Sequence, residues 1–225
     1  TSSLIKSNSL IFCLTSFSLA HTIAVTKALK SGAMFLSLPD FSEDVLSSEA
    51  FNAKFKSYRE ACFSIADILT NSENIKVSSV LGTDIQMTLT NRRSNPAPGC
   101  VIRPGDLSSP PDIECNIAPI ENKTNGILVI DGSVPIPEIG ILKNPIKIIV
   151  EDGICTNIDG YHKDVEKLNK RLTLDKNRRT VGEFGIGLNP YSKIVGRMLE
   201  DEGAFKTCHF GLGANTTIGG SNKCN

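Results

Sequence analysis

Apolar and polar positions recur with two different periods along this chain, and each change of period marks an element. Leu10-Ile-Phe-Cys-Leu14 is an apolar run of strand length and predicts a buried strand. Leu19, Ile23, Thr26 and Leu29 then recur at helical spacing up to Gly32, a residue suited to ending a helix, and Ala33-Met-Phe-Leu-Ser-Leu38 is a second apolar run. Strand, helix and strand in that order predict a βαβ crossover in a parallel sheet. Phe51, Phe55, Tyr58, Cys62, Ile65 and Leu69 step by four or three residues and form one stripe. That stripe predicts a second helix packed on the core, with Ser47 or Ser48 as its N-cap. Ile75 to Leu81, then Ile85, Met87 and Leu89, predict two short strands broken at Gly82.

The pattern changes at Asn91-Arg-Arg-Ser-Asn-Pro-Ala-Pro-Gly99, where two prolines disfavour both helix and central strand, so a domain border is expected near residue 95. A second proline-rich run, Pro104 to Pro111, leads into β-branched segments at Ile127 to Ile130 and Ile146 to Val150. Asp131-Gly132 and Asp152-Gly153 punctuate them and suggest antiparallel pairing. Val165, Leu168 and Leu172 predict the buried face of one intervening helix. The expected class is α/β: a partial N-terminal α/β domain with parallel strands over residues 1–95, then an α+β domain with mostly antiparallel strands over residues 96–225.

Composition narrows the function little. The 225 residues are 40% hydrophobic, enough to bury a core, and 24 basic residues balance 24 acidic ones, so charge gives no reason to expect nucleic acid. Lys6, the Leu10–Leu14 run and Ser18-Leu-Ala20 imitate a signal peptide, but the apolar run is short and broken by Thr15, Ser16 and Ser18. No membrane association is expected. The seven cysteines are scattered singly, without a C-x-x-C pair, which fits free thiols in a cytoplasmic protein. The sequons at Asn122 and Asn215 are then incidental.

No P-loop, G-x-S-x-G, H-E-x-x-H or complete dinucleotide fingerprint is present. Cys208 beside His209 cannot make a Cys-His pair on a strand, where neighbours point to opposite faces, and is read as a core thiol. The remaining chemistry lies in Glu114, in Glu183 before Phe-Gly-Ile-Gly187, and in His209 opening His-Phe-Gly-Leu-Gly213. A carboxylate in an apolar strand costs several kcal/mol of desolvation unless a cation or hydrogen-bond donors compensate. Glu200, Asp201 and Glu202 are expected to form the exposed end of a helix, away from any metal.

The succession Ile113-Glu-Cys-Asn-Ile-Ala-Pro119, Gly126-Ile-Leu-Val-Ile-Asp-Gly132, Glu183-Phe-Gly-Ile-Gly-Leu-Asn-Pro190, Leu199-Glu-Asp-Glu202, His209-Phe-Gly-Leu-Gly213 and Gly219-Gly220 resembles the aminopeptidase T family of metallo-aminopeptidases. Thr15 to Thr22, Gly32 to Pro39 and Gly82-Thr-Asp84 extend the resemblance over nearly the whole chain. It implies a metal-binding α+β domain holding two zinc, cobalt or manganese ions, hydrolysis of the N-terminal peptide bond of a peptide substrate, and a homodimer. Residue by residue it assigns metal ligation to Glu114, Glu183 and His209. It implies further ligands in a His-x-Asp motif just after Gly219-Gly220, and a chain cut at both ends.

Two ions sharing a water lower its pKa and supply hydroxide to attack the scissile carbonyl. Ile113 stands where the family has glycine, and the peptidases' tyrosine is absent, with Thr216 near its place. A second reading is therefore kept: the resemblance extends to non-haem iron enzymes that open a dihydroxypyridine ring. A third is a non-catalytic fragment of the family.

Overall fold

A computed structural model describes residues 9–16, 18–20, 22–39 and 41–224. Lys6 of the leader-like segment, and Phe17 and His21 of the first family-like motif, lie outside them. The chain is mixed α/β, with one parallel and several antiparallel sheets.

The first apolar run forms β1 (Leu10–Thr15), followed by α1 (Ile23–Lys30) and β2 (Met34–Pro39), and β1 pairs with β2 in parallel. The βαβ expectation is met; the buried strand is not. β1 is an edge of its sheet, and Leu10, Phe12 and Leu14 on one of its faces are 48–59% exposed. In α1 the inward positions are Val25 and Ala28, whereas Ile23 of the expected stripe is 77% exposed. Thr22 caps this helix through its hydroxyl.

The long stripe splits. After α2 (Glu43–Leu46), Ser48 caps a single 3₁₀ turn at Glu49–Asn52, and α3 (Phe55–Thr70) starts separately after Ala53, without a side-chain cap. Cys62, Ala66 and Leu69 of α3 are buried against the core.

Next come β3 (Asn74–Ser78), β4 (Asp84–Thr88) and the short β5 (Asn95–Ala97), with Pro96 at a sheet edge where its missing N–H is tolerated. Then follow β6 (Leu107–Ser108), β7 (Glu114–Ile117), β8 (Thr124–Ile130), β9 (Ser133–Val134), β10 (Gly140–Ile141), β11 (Ile146–Glu151) and β12 (Ile154–Asp159). After α4 (His162–Leu172) come β13 (Val181–Gly187), the short α5 (Met198–Asp201) and β14 (Cys208–Leu212).

β6 joins β2 to complete the parallel sheet, and β9 pairs with β10. A five-stranded antiparallel sheet runs β12-β11-β8-β4-β3, and a four-stranded one β14-β13-β7-β5. Since β4 pairs with β8, and β6 with β2, sheet hydrogen bonds cross the expected border near residue 95. Asp152 (φ 47°) and Gly153 (φ 77°) make the tight turn between β11 and β12 that Asp-Gly predicts. Here only glycine serves at the second position, because a Cβ would lie 1.5 Å from the Glu121 carbonyl oxygen.

Candidate metal centre

β7, inside the four-stranded sheet, is buried on both faces, and strand alternation divides the sheet's residues cleanly. Cys115 and Ile117 of β7, with Phe184 of β13, join the core that also takes Cys62, Ala66 and Leu69 of α3. Glu114 and Asn116 therefore point to the other face. So do Glu183, Gly185 and Gly187 of β13, opposite Gly211 and His209 of β14. A β-bulge between Val181 and Glu183 sets this phase: Val181 turns into the core, and Glu183 joins the opposite face two residues later.

The three residues assigned by the resemblance converge. One ligand-type atom from each of Glu114, Glu183 and His209 lies within 4.8 Å of the others. Glycines make room for them. A Cβ on Gly185 would lie 2.2 Å from the His209 ring atoms Cε1 and Nε2, and one on Gly211 would lie 2.9 Å from Glu183 Oε2. The glycine-rich setting of both motifs thus leaves space for the neighbouring side chain across the ladder.

The polar atoms are under-satisfied. Glu114 Oε2 stands 3.1 Å from His209 Nε2, but off the line of a hydrogen bond, so that Glu114 Oε2 and both ring nitrogens of His209 have no directed partner. Burial, then the Glu114 charge, raises the Glu183 pKa to about 7. Burial opposes protonation of His209, yet the surrounding carboxylates, Glu114 foremost, outweigh it and raise its pKa to about 9. Glu183 and His209 therefore both hold their protons to higher pH than usual, which offsets carboxylate charge gathered in the cluster.

Two further carboxylates feel this field. Glu202 is raised to about 8, by burial first and then by Glu114, and Asp112 is raised well above the ordinary range by burial and by Glu114. Sequence reading missed Asp112 and misplaced the Glu200–Glu202 run. Glu200 and Asp201 are buried, not exposed. Asp201 accepts hydrogen bonds from the Val195 and Gly196 amides and the Ser133 hydroxyl, and Glu200 accepts from Ser48. They staple loops, while Glu202 turns toward the cluster. The only signal was three acids after a leucine, which by itself suits a solvated helix end. Cys208 is exposed rather than a core thiol.

Asn189 of the Gly-Leu-Asn-Pro motif is fully buried and donates to the carbonyls of Ala50 (3.0 Å) and Pro111 (2.7 Å). It ties the 3₁₀ turn at Glu49–Asn52 to the approach to Glu114. Among the described residues, this is the one group of His, Cys, Asp and Glu side chains with metal-site spacing, and no helix is long and apolar enough to cross a membrane.

The family model for NicX, 2,5-dihydroxypyridine 5,6-dioxygenase, matches residues 1–224. The chain belongs to this family. Among solved structures it is similar to the 2,5-dihydroxypyridine dioxygenase of Pseudomonas putida KT2440, with a TM-score of 0.75 and 21% identity over 94% of this chain and 63% of that one. It is also similar to AmpT from Thermus thermophilus, with a TM-score of 0.60 and 15% identity over 90% of this chain and 60% of that one. At such identities these likenesses show the fold alone. The chain spans less than two thirds of either structure's length, and no curated protein matches it.

The family match overturns the expectation of a metallo-aminopeptidase, and with it the hydrolase and protease chemistry of a two-metal-activated water. The aminopeptidase-like scaffold is real but distant. Both solved structures share this fold, so motifs that report the sheet and its glycines do not separate oxygenation from hydrolysis. The family is one of dioxygenases, hence oxidoreductases.

Proposed function

We propose that the protein acts as a ring-opening dioxygenase of the dihydroxypyridine type, with Glu114, Glu183 and His209 contributing ligands to a single divalent iron. The family match over residues 1–224 carries the reading. The residues fit the ion. Two carboxylate oxygens and an imidazole nitrogen are hard-to-borderline donors suited to iron(II), although the usual facial triad has two histidines and one carboxylate. Glu114 Oε2 and both ring nitrogens of His209 are buried without directed hydrogen bonds, and a cation would relieve the crowding of carboxylates that makes Glu183 hold its proton to higher pH than usual.

Bound iron would supply the redox chemistry needed to bring dioxygen to an aromatic ring. The chain's own residues do the rest of what can be derived. Glu114 and Glu183 offset the cation's charge, His209 adds a ligand once its proton has left, and burial keeps bulk water from competing. By the sense of the name, both oxygen atoms enter the ring carbons at positions 5 and 6 as the bond between them breaks, giving an acyclic product.

The test loads the protein with iron(II) without air, then adds 2,5-dihydroxypyridine and oxygen, following ring absorbance and oxygen uptake together. Loss of the ring band with equimolar oxygen uptake is expected. An intact ring, together with zinc-dependent release of N-terminal residues from peptides, would overturn the proposal.

A further inference from the structure

Glu114 is held by a hydrogen-bond relay that begins at the edge of its sheet. Asn116, two residues along β7 and on the same face, donates from Nδ2 to Glu114 Oε1 at 2.7 Å. Its own Oδ1 accepts from Asn95 Nδ2 at 3.2 Å, and the same Asn95 amide nitrogen donates to the Ile218 carbonyl at 3.3 Å. Asn95 lies directly opposite Asn116 in the β5–β7 ladder, Asn116 opposite Gly185, and Gly185 opposite His209. One cross-strand row thus runs from the sheet edge to the imidazole, with Asn116 and the His209 ring flanking the space that Gly185 leaves.

The amide orientations are fixed by this row. Asn95 faces two acceptors, so only its NH₂ fits there, with one proton for each. Asn116 must then offer its oxygen to Asn95 and its NH₂ to the carboxylate. The backbone of Asn116 is also anchored, its carbonyl accepting from Ser94 Oγ at 2.8 Å. Oε1 of Glu114 is occupied by this relay, whereas Oε2 is left beside His209 Nε2 without a directed partner.

Resting on the proposed metal site, we infer that Asn116, oriented by Asn95, is a positioning residue: it ties down one oxygen of Glu114 and aims the other at the cation. Outer hydrogen-bond partners of this kind typically contribute 10–100-fold to metal affinity. A role in folding alone would leave affinity unchanged once the variant is folded.

Cobalt(II) titrated into the protein, read by calorimetry and by its visible d–d bands, tests this on three variants. Asn116→Ala should weaken binding roughly 10–100-fold and shift the bands, because Glu114 becomes free to rotate. Asn95→Ala should weaken it less. Asn95→Asp is the discriminating variant. A carboxylate there presents only acceptors to Asn116, so the Asn116 amide turns over and sets its carbonyl oxygen against Glu114. The relay therefore predicts weaker binding, although the added negative charge alone predicts tighter binding.

Position 95 is half-buried on an edge strand, so this variant tests the relay even if Asn116→Ala does not fold. Affinity in Asn95→Asp equal to or above that of the unaltered protein overturns the positioning role while leaving the metal reading intact. No cobalt binding by the unaltered protein overturns the metal reading itself, and the relay with it.

Discussion

The two large antiparallel sheets place charge in opposite ways. In the five-stranded sheet Ile146, Ile148 and Val150 of β11 face a core shared with Leu168 and Leu172 of α4, while Lys147 and Glu151 between and beside them lie in water. In the four-stranded sheet, β7 is buried at every position, so its carboxylate and amide have no solvent face to occupy. The first arrangement is what alternation gives when stability alone is served. The second accepts buried repulsion between Glu114 and Glu183, which a cation at the proposed site would relieve.

The largest break in this contrast comes from removing a proposed ligand. Glu183→Ala should reduce oxygen uptake with 2,5-dihydroxypyridine to the iron-free background, measured with an oxygen electrode. The same change should leave the metal-free fold no less stable, since it removes a buried carboxylate that burial and Glu114 both destabilise.

Ile148→Ala in the other sheet should do the reverse. It empties a fully buried site and should cost about 2–5 kcal/mol in urea unfolding, with cobalt(II) affinity unchanged. Gly185→Ala should fall between them, because its methyl group meets the His209 ring rather than a flexible side-chain end. We expect about 1–3 kcal/mol of destabilisation by overpacking and a more than tenfold loss of cobalt(II) affinity.

A gentler contrast is made with pH. The folded-state values of Glu183 (about 7) and Glu202 (about 8) are raised from 4.5, and that of His209 (about 9) from 6.5. Each group binds its proton more tightly when folded, so the associated stability is full below the unfolded value and is lost as pH rises through the folded one. Metal-free protein should therefore lose on the order of a few kcal/mol between about pH 5 and pH 9, seen as a falling urea midpoint. Divalent metal should flatten or reverse that slope, since it binds the deprotonated ligands. A midpoint that rises with pH in metal-free protein would contradict the assigned repulsion.

Much of this was legible in the sequence, for physical reasons. The βαβ unit, the Asp152-Gly153 hairpin and the strands carrying Glu114, Glu183 and His209 all follow from periodicity, turn chemistry or the family-like motifs. What stayed hidden depends on contacts across sequence distance. Nothing local tells that β1 is an edge strand, that Ala53 interrupts the stripe before α3, or that Asp201 is held by backbone amides at Val195 and Gly196. Asn95 and Asn116 are ordinary turn and strand residues until the ladder sets them opposite each other. The chemistry was misassigned because the motifs describe a scaffold that both families use.

The bulge at Gly182 gives the centre a parity. Downstream of it, odd positions from Glu183 to Gly187 form the face of the carboxylate–imidazole cluster, and Phe184 lies on the core side. Inserting or deleting one residue between the bulge and Gly185 would exchange the two sets, sending a carboxylate toward α3 and a phenyl ring toward His209. A two-residue change would keep the faces and only lengthen or shorten the strand. The site is therefore written in a count of residues as much as in their identities, and its tolerance to length changes should alternate between odd and even.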